Sequence, residues 1–177
     1  DHRDLHSFPT RRSSDLLRDA VFRALAGLGS MDGWGAIASA KGFGEAWLAP
    51  ADALKARQKE ARERNREFLD AAGLKAADTR DKRAVTAATA AGFSRITALV
   101  RSWLADVLSA REGMPERIAN RDAAESILRA SALVREDGIR QAVQACERAE
   151  RHIAYNVSPQ NALDALMLEL RAALYGR

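Results

Sequence analysis

The chain has 177 residues, room for one ordinary domain, or for one core with an appended arm, but not for two full-sized domains. Apolar residues make up 47%, mostly Ala and Leu, charged residues 29%, and there are four Pro, a palette that forms helices and leaves strand formers scarce. Lys and Arg number 28 against 24 Asp and Glu, and the two signs interleave, so the net charge of +4 argues for solvated helix faces over a phosphate-tracking stripe.

Residues 1–16 show neither helical nor strand periodicity, and the character of the chain breaks before Leu17. The run from His6 to Leu16 resembles one reading frame of a widely used sequencing adapter. The segment is expected to be disordered and foreign to the domain, which then covers residues 17–177 as a metagenomic fragment. From Leu17 the pattern turns helical: Val21, Phe22, Leu25 and Leu28 share one face, and Gly27 and Gly29 give a stop signal. A short helix is expected from Asp32 to Leu48, weakened by Gly33, Gly35, Gly42 and Gly44.

Pro50 sits where a further helix can begin, and the segment to Leu69 is dense in alternating charge, with Leu54, Ala61, Phe68 and Leu69 as its few apolar anchors. Ala71, Ala72 and Gly73 are expected to end it. A second charged start, Lys75 to Arg83, leads into a long apolar helix reaching Arg111. Val85, Phe93, Ile96, Leu99, Val100, Trp103, Leu104, Val107 and Leu108 form its broad stripe, making it the central packing element. Gly92 marks a kink or a close helix contact.

Three helices are expected in the last third, Arg121 to Val134, Asp137 to Tyr155 and Pro159 to Tyr175, packed antiparallel. Ile139, Val143, Cys146 and Ile153 follow helical spacing, as do Leu163, Leu166, Met167, Leu170 and Leu174. Between the last two, Asn156, Val157, Ser158 and Pro159 read as a turn: a Ser hydroxyl caps free amides, and Pro at the first helical position loses no hydrogen bond. The fold class is therefore all-α, a bundle of about six to seven helices.

Catalytic motifs are missing. There is no phosphate loop ending in Lys-Ser/Thr, no dinucleotide fingerprint, no nucleophile elbow and no pair of histidines on one helical face. His152 near a helix end and Cys146 on an apolar stripe read as structural residues, and Trp34, Trp47 and Trp103 as core. The single Cys excludes an internal disulfide and fits a reducing compartment, and no apolar run reaches the length of a membrane helix, so a cytoplasmic location is expected. No cofactor, no metal and no intrinsic catalysis are expected, and helices with wide apolar faces fit a subunit-docking domain.

The stretch Glu147 to Leu174, ERAERHIAYNVSPQNALDALMLELRAAL, resembles the closing helices of the delta-prime subunit family of bacterial DNA polymerase III. That family carries a helix ending near an Asn-Val-Asn/Lys/Ser-Pro turn, then a final helix with Ala-Leu-(Asp/Glu)-Ala-Leu/Met. Asn156, Val157, Ser158, Pro159, Ala162, Leu163, Ala165 and Leu166 match it. Arg95 to Leu108, with Trp103 and Leu104, is similar to a collar helix, and Lys55 to Leu69 to a basic insertion in actinobacterial forms. Only the last stretch matches in letters; Leu17 to Glu147 agrees in order and character.

The resemblance implies a helical collar through which clamp-loader subunits associate, with gamma/tau and delta subunits as partners, DNA met only through the complex and no membrane contact. It also implies an upstream AAA+ module, to which any ATP or zinc binding would belong. On it, Phe93, Ile96, Trp103, Ile153, Leu163, Leu166, Met167 and Leu170 are expected in the core or at the subunit interface. Two alternatives stay open: the collar of gamma/tau or a related clamp-loader ATPase, and a stand-alone helical protein binding nucleic acid through the Lys55 to Arg83 charges.

Overall fold

Leu17, Val21, Leu25 and Leu28 recur at helical spacing and are all buried, so the first helix lays one apolar stripe on the core. The structure, a computed structural model, describes residues 11–135, 137–155 and 157–176, the first four by their backbone alone. Helix α1 spans Arg11–Gly27 and passes into a 3-10 turn, Leu28–Ser30. The boundary expected before Leu17 thus falls inside a helix, and Leu17 is the first buried side chain among the described residues. Residues 1–10 of the segment expected to be foreign lie outside the described residues.

Helix α2 spans Gly33–Asn65, capped by the Asp32 carboxylate, which accepts a hydrogen bond from Gly35 N–H at 2.7 Å. Two helices were expected here, and Pro50 lies inside one. Proline in a helix interior costs about 3 kcal/mol through its missing donor. Phe43, Trp47 and Ala51, buried at four-residue spacing on both sides of Pro50, hold the chain helical across it.

The chain turns over at Arg66–Leu69 and re-enters as helix α3, Ala71–Arg111. Ala71 to Gly73 are its first turn and not the end of the preceding helix, because Asp70 caps it, accepting from Gly73 N–H at 2.7 Å. Phe68, expected as an anchor, is 84% exposed, since the turn carries it past the end of both helices. Helix α3 runs unbroken through Gly92, whose lack of a side chain admits Trp47 of α2: a Cβ there would stand 3.0 Å from both the Trp47 ring and its carbonyl oxygen.

α2 and α3 are antiparallel. Trp47 meets Phe93 edge to face at 5.6 Å between ring centroids, and towards the other end Arg62 pairs with Asp78 at 2.9 Å. Phe93, Ile96, Val100, Trp103, Leu104 and Val107 are buried and make α3 the central element, as expected. The stripe is narrower than expected, with Val85 and Leu99 half-buried and Leu108 turned to solvent.

Between Ala51 and Ala90 the two helices supply nothing to the main core. At 1.5 Å per residue, the free part of α2 forms an arm about 20 Å long. Its seam is mostly polar: Ala51, Ala77 and Asp81 are buried, Arg62 reaches Asp78 and Asp81, and Gln58 donates to the Asp81 carbonyl at 3.3 Å.

Past α3, the buried Asp106 carboxylate accepts from Ala119 N–H, Asn120 N–H and the Asn120 amide at 2.8, 3.0 and 2.7 Å, fixing the connecting loop. That grip places Arg121–Ala123 in a 3-10 turn, so α4 covers only Ala124–Ser131, shorter than the expected Arg121 to Val134. Helix α5, Gly138–Ala154, and helix α6, Pro159–Tyr175, pack antiparallel, with the start of α5 against the end of α6. Arg101 of α3 clamps Glu150 of α5 through two bonds, 2.9 and 3.0 Å, and the Thr97 hydroxyl donates to the same carboxylate. Among the described residues there are six α-helices and no strand: an all-α bundle.

Candidate docking surface

The bundle's own packing decides which expected site residues can reach a partner. Phe93, Ile96, Trp103, Leu163, Leu166, Met167 and Leu170 are at most 1% exposed and Ile153 is 7% exposed, so all eight are core. They hold α3, α5 and α6 together and present no face outward. Val157 and Ser158 are exposed and Pro159 is half-buried at the first position of α6; Asn156 lies outside the described residues.

The Ser158 cap is corrected. Its hydroxyl makes no cap bond, and α6 starts instead on the Ser158 carbonyl, which accepts from Ala162 N–H at 2.9 Å, and on the preset φ of Pro159. Exposed Ser side chains keep water as a partner, which removes the gain a cap would bring.

The core placement of Cys146 is as expected: it is fully buried, and burial pushes its thiol up to about 12. At neutral pH it carries almost no thiolate. His152 is exposed on the last turn of α5. Among the described residues no cluster of His, Cys, Asp or Glu is placed to hold a metal ion, and no helix is long and apolar enough to cross a membrane.

A cavity of about 450 Å³ opens between α1, α2 and α3, walled by Leu17, Ala46, Trp47, Ala88, Gly92 and Arg95 among others. It is nearly all apolar and offers no nucleophile or carboxylate. The Trp47 indole N–H has no partner there; it stands near Gly44, away from the wall that Gly92 forms.

The exposed apolar surface lies where the sequence pattern did not place it. Trp34, expected in the core, is 80% exposed on the first turn of α2, because Gly33 and the Asp32 cap hold that turn at the bundle's edge. Leu168 of α6, 39% exposed, approaches the same turn at Gly33, with its Cδ2 3.5 Å from where a Gly33 Cβ would stand. Ala165 and Ala172, three residues before and four after Leu168, extend the same side of α6. Arg171 ties α6 to the segment just before α2 by donating to the Met31 carbonyl at 2.7 Å. The result is an exposed aromatic on the first turn of α2 and, next to that turn, a stretch of α6 with an exposed Leu and small residues, a composition that anchors protein interfaces. A sequence signal existed: Trp34 sits within the first helical turn between two glycines, where a side chain has few neighbours to bury it.

Compared with known protein families, curated proteins and solved structures, the chain matches none.

Proposed function

We propose that this chain is a helical docking module that assembles with other subunits, and that its assembly is a bacterial clamp loader in which it takes the place of the delta-prime collar. The observation that carries the docking reading is Trp34, 80% exposed at the edge of a bundle whose eight expected core-or-interface residues are all consumed by its own core. A Trp left 80% in water gains by burial against a partner. The clamp-loader assignment rests on the resemblance of Glu147 to Leu174. In support, α5 ends at Ala154 and Pro159 opens α6, the helix, turn and helix order that the resemblance implies. The partners are gamma/tau and delta collars, and the chain acts as a fixed joint while ATP-driven motion happens elsewhere in the complex.

Mixing the full 177-residue chain with gamma/tau and delta collar domains tests the assignment, read by size-exclusion chromatography with light scattering. A stoichiometric complex supports it. A chain that elutes alone beside both partners refutes the clamp-loader assignment.

A further inference from the structure

Lys55, Lys59, Arg62 and Arg66 follow each other at spacings of four, three and four residues, so they form one row along α2 of the arm. Lys75 and Lys82, seven apart, share one side of α3. A groove lined by Lys55, Arg62 and Lys82, among others, brings both rows to the same side. Most acids of that side are inward or engaged: Asp81 lies in the seam, Asp78 is held by Arg62 and Lys82, and Asp52 pairs with Lys55 at 3.0 Å, while Glu63 stays exposed beside Lys59. Asp70 caps α3. From Lys55 to Arg83 the sequence has ten basic and six acidic residues, and with Arg62 and Lys82 engaged by Asp78 and Asp81 eight basic residues remain against four acidic ones, a net cationic surface. Lys59, Arg66 and Lys75 are exposed and form no ion pair among the described residues.

We infer that this side of the arm binds the phosphate backbone of duplex nucleic acid, without sequence preference. The row spans about 16 Å at 1.5 Å per residue. A duplex carries one charge per about 1.7 Å of axis, a rod of evenly repeated anions that an evenly spaced cation row can follow. Of the two amides near the row, Gln58 is engaged with the Asp81 carbonyl and Asn65 lies at the end of α2, so most contacts position without specifying. A lipid surface is a poorer match, because the row has no apolar strip to insert; the exposed Phe68 stands at the tip, beyond it. The inference is independent of the partner assignment above.

The test is anisotropy of a short labelled duplex of mixed sequence titrated with the full chain. Log affinity is expected to fall linearly with log salt, with a slope of about −3 if only the unpaired Lys59, Arg66 and Lys75 meet phosphates and about −5 if all six cations do. Lys59→Gln, Arg66→Gln and Lys75→Gln together should reduce the slope by about 2 to 3 and weaken binding at least about tenfold at low salt. These three leave the ion pairs of the seam intact, so the fold is retained and circular dichroism checks it. Arg140→Gln with Arg151→Gln on α5 should leave binding unchanged. Absence of binding at low salt overturns the inference, as does a triple variant that binds like the parent. Capture by anionic phosphatidylglycerol vesicles with no duplex binding also overturns it.

Discussion

Gly138, the first residue of α5, lies so near Ala173 of α6 that a Cβ on it would stand 2.5 Å from the Ala173 carbonyl oxygen. Backbone, not a flexible side chain, occupies the space, and Arg135 N–H bonds the neighbouring Leu174 carbonyl at 2.9 Å. The start of α5 and the end of α6 are therefore locked together by a residue without a side chain.

Gly138→Ala should destabilise the bundle by about 1 to 3 kcal/mol through overpacking, although alanine is the better helix former. Denaturant unfolding measures it, and an unchanged or raised midpoint would show that α5 can move away without loss.

Leu166→Ala, which empties a 1%-exposed site in α6, should cost about 2 to 5 kcal/mol. Ser158→Ala should stay within about 0.5 kcal/mol, because the hydroxyl makes no cap bond. Equal effects at the two positions in chemical denaturation would contradict this placement of the helix start.

Glu150 gives the fold an acid-sensitive point. The Arg101 guanidinium holds its carboxyl below the usual carboxylate range, with the Thr97 hydroxyl bond adding to the effect. A depressed folded value means the stabilisation is full above the ordinary value of about 4.3 and is lost as pH falls through the lower folded one. Between about pH 6 and pH 3, wild-type stability should fall more steeply than that of Glu150→Gln, so that the gap between them closes. Parallel profiles would show that the Arg101 clamp contributes nothing.

Cys146 should react with a thiol reagent only when the chain opens. With the thiol pushed up to about 12 by burial, modification of the native protein at neutral pH should be slow and should accelerate across the unfolding transition. Rapid labelling under native conditions would mean that α5 leaves the core locally.

The helical class and the core stripes were legible in the sequence because burial follows the 3.6-residue period: Phe93 to Val107 and Leu163 to Leu174 were placed by spacing alone. The helix boundaries were less so. Asp32 and Asp70 cap helices through carboxylates three residues upstream of a glycine, and Pro50 is carried through a helix by Trp47 and Ala51 packing across the bundle, a tertiary effect with no local signature. The exposed face was only faintly legible: the glycines on both sides of Trp34 mark a sparsely covered first turn, but helical spacing does not separate its exposure from the burial of Trp103. Gly92 and Gly138 were separable only once their neighbours were known.

On the proposed function, Trp34 anchors the contact with a neighbouring clamp-loader collar. Binding of the gamma/tau collar to the full chain and to Trp34→Ala, compared by titration calorimetry, tests it most directly. A hot-spot anchor predicts a loss of about 2 kcal/mol or more, roughly 30-fold in affinity, in a variant whose melting is unchanged. Wild-type chain that does not bind the collar, or a variant that binds as tightly as wild type, would contradict it.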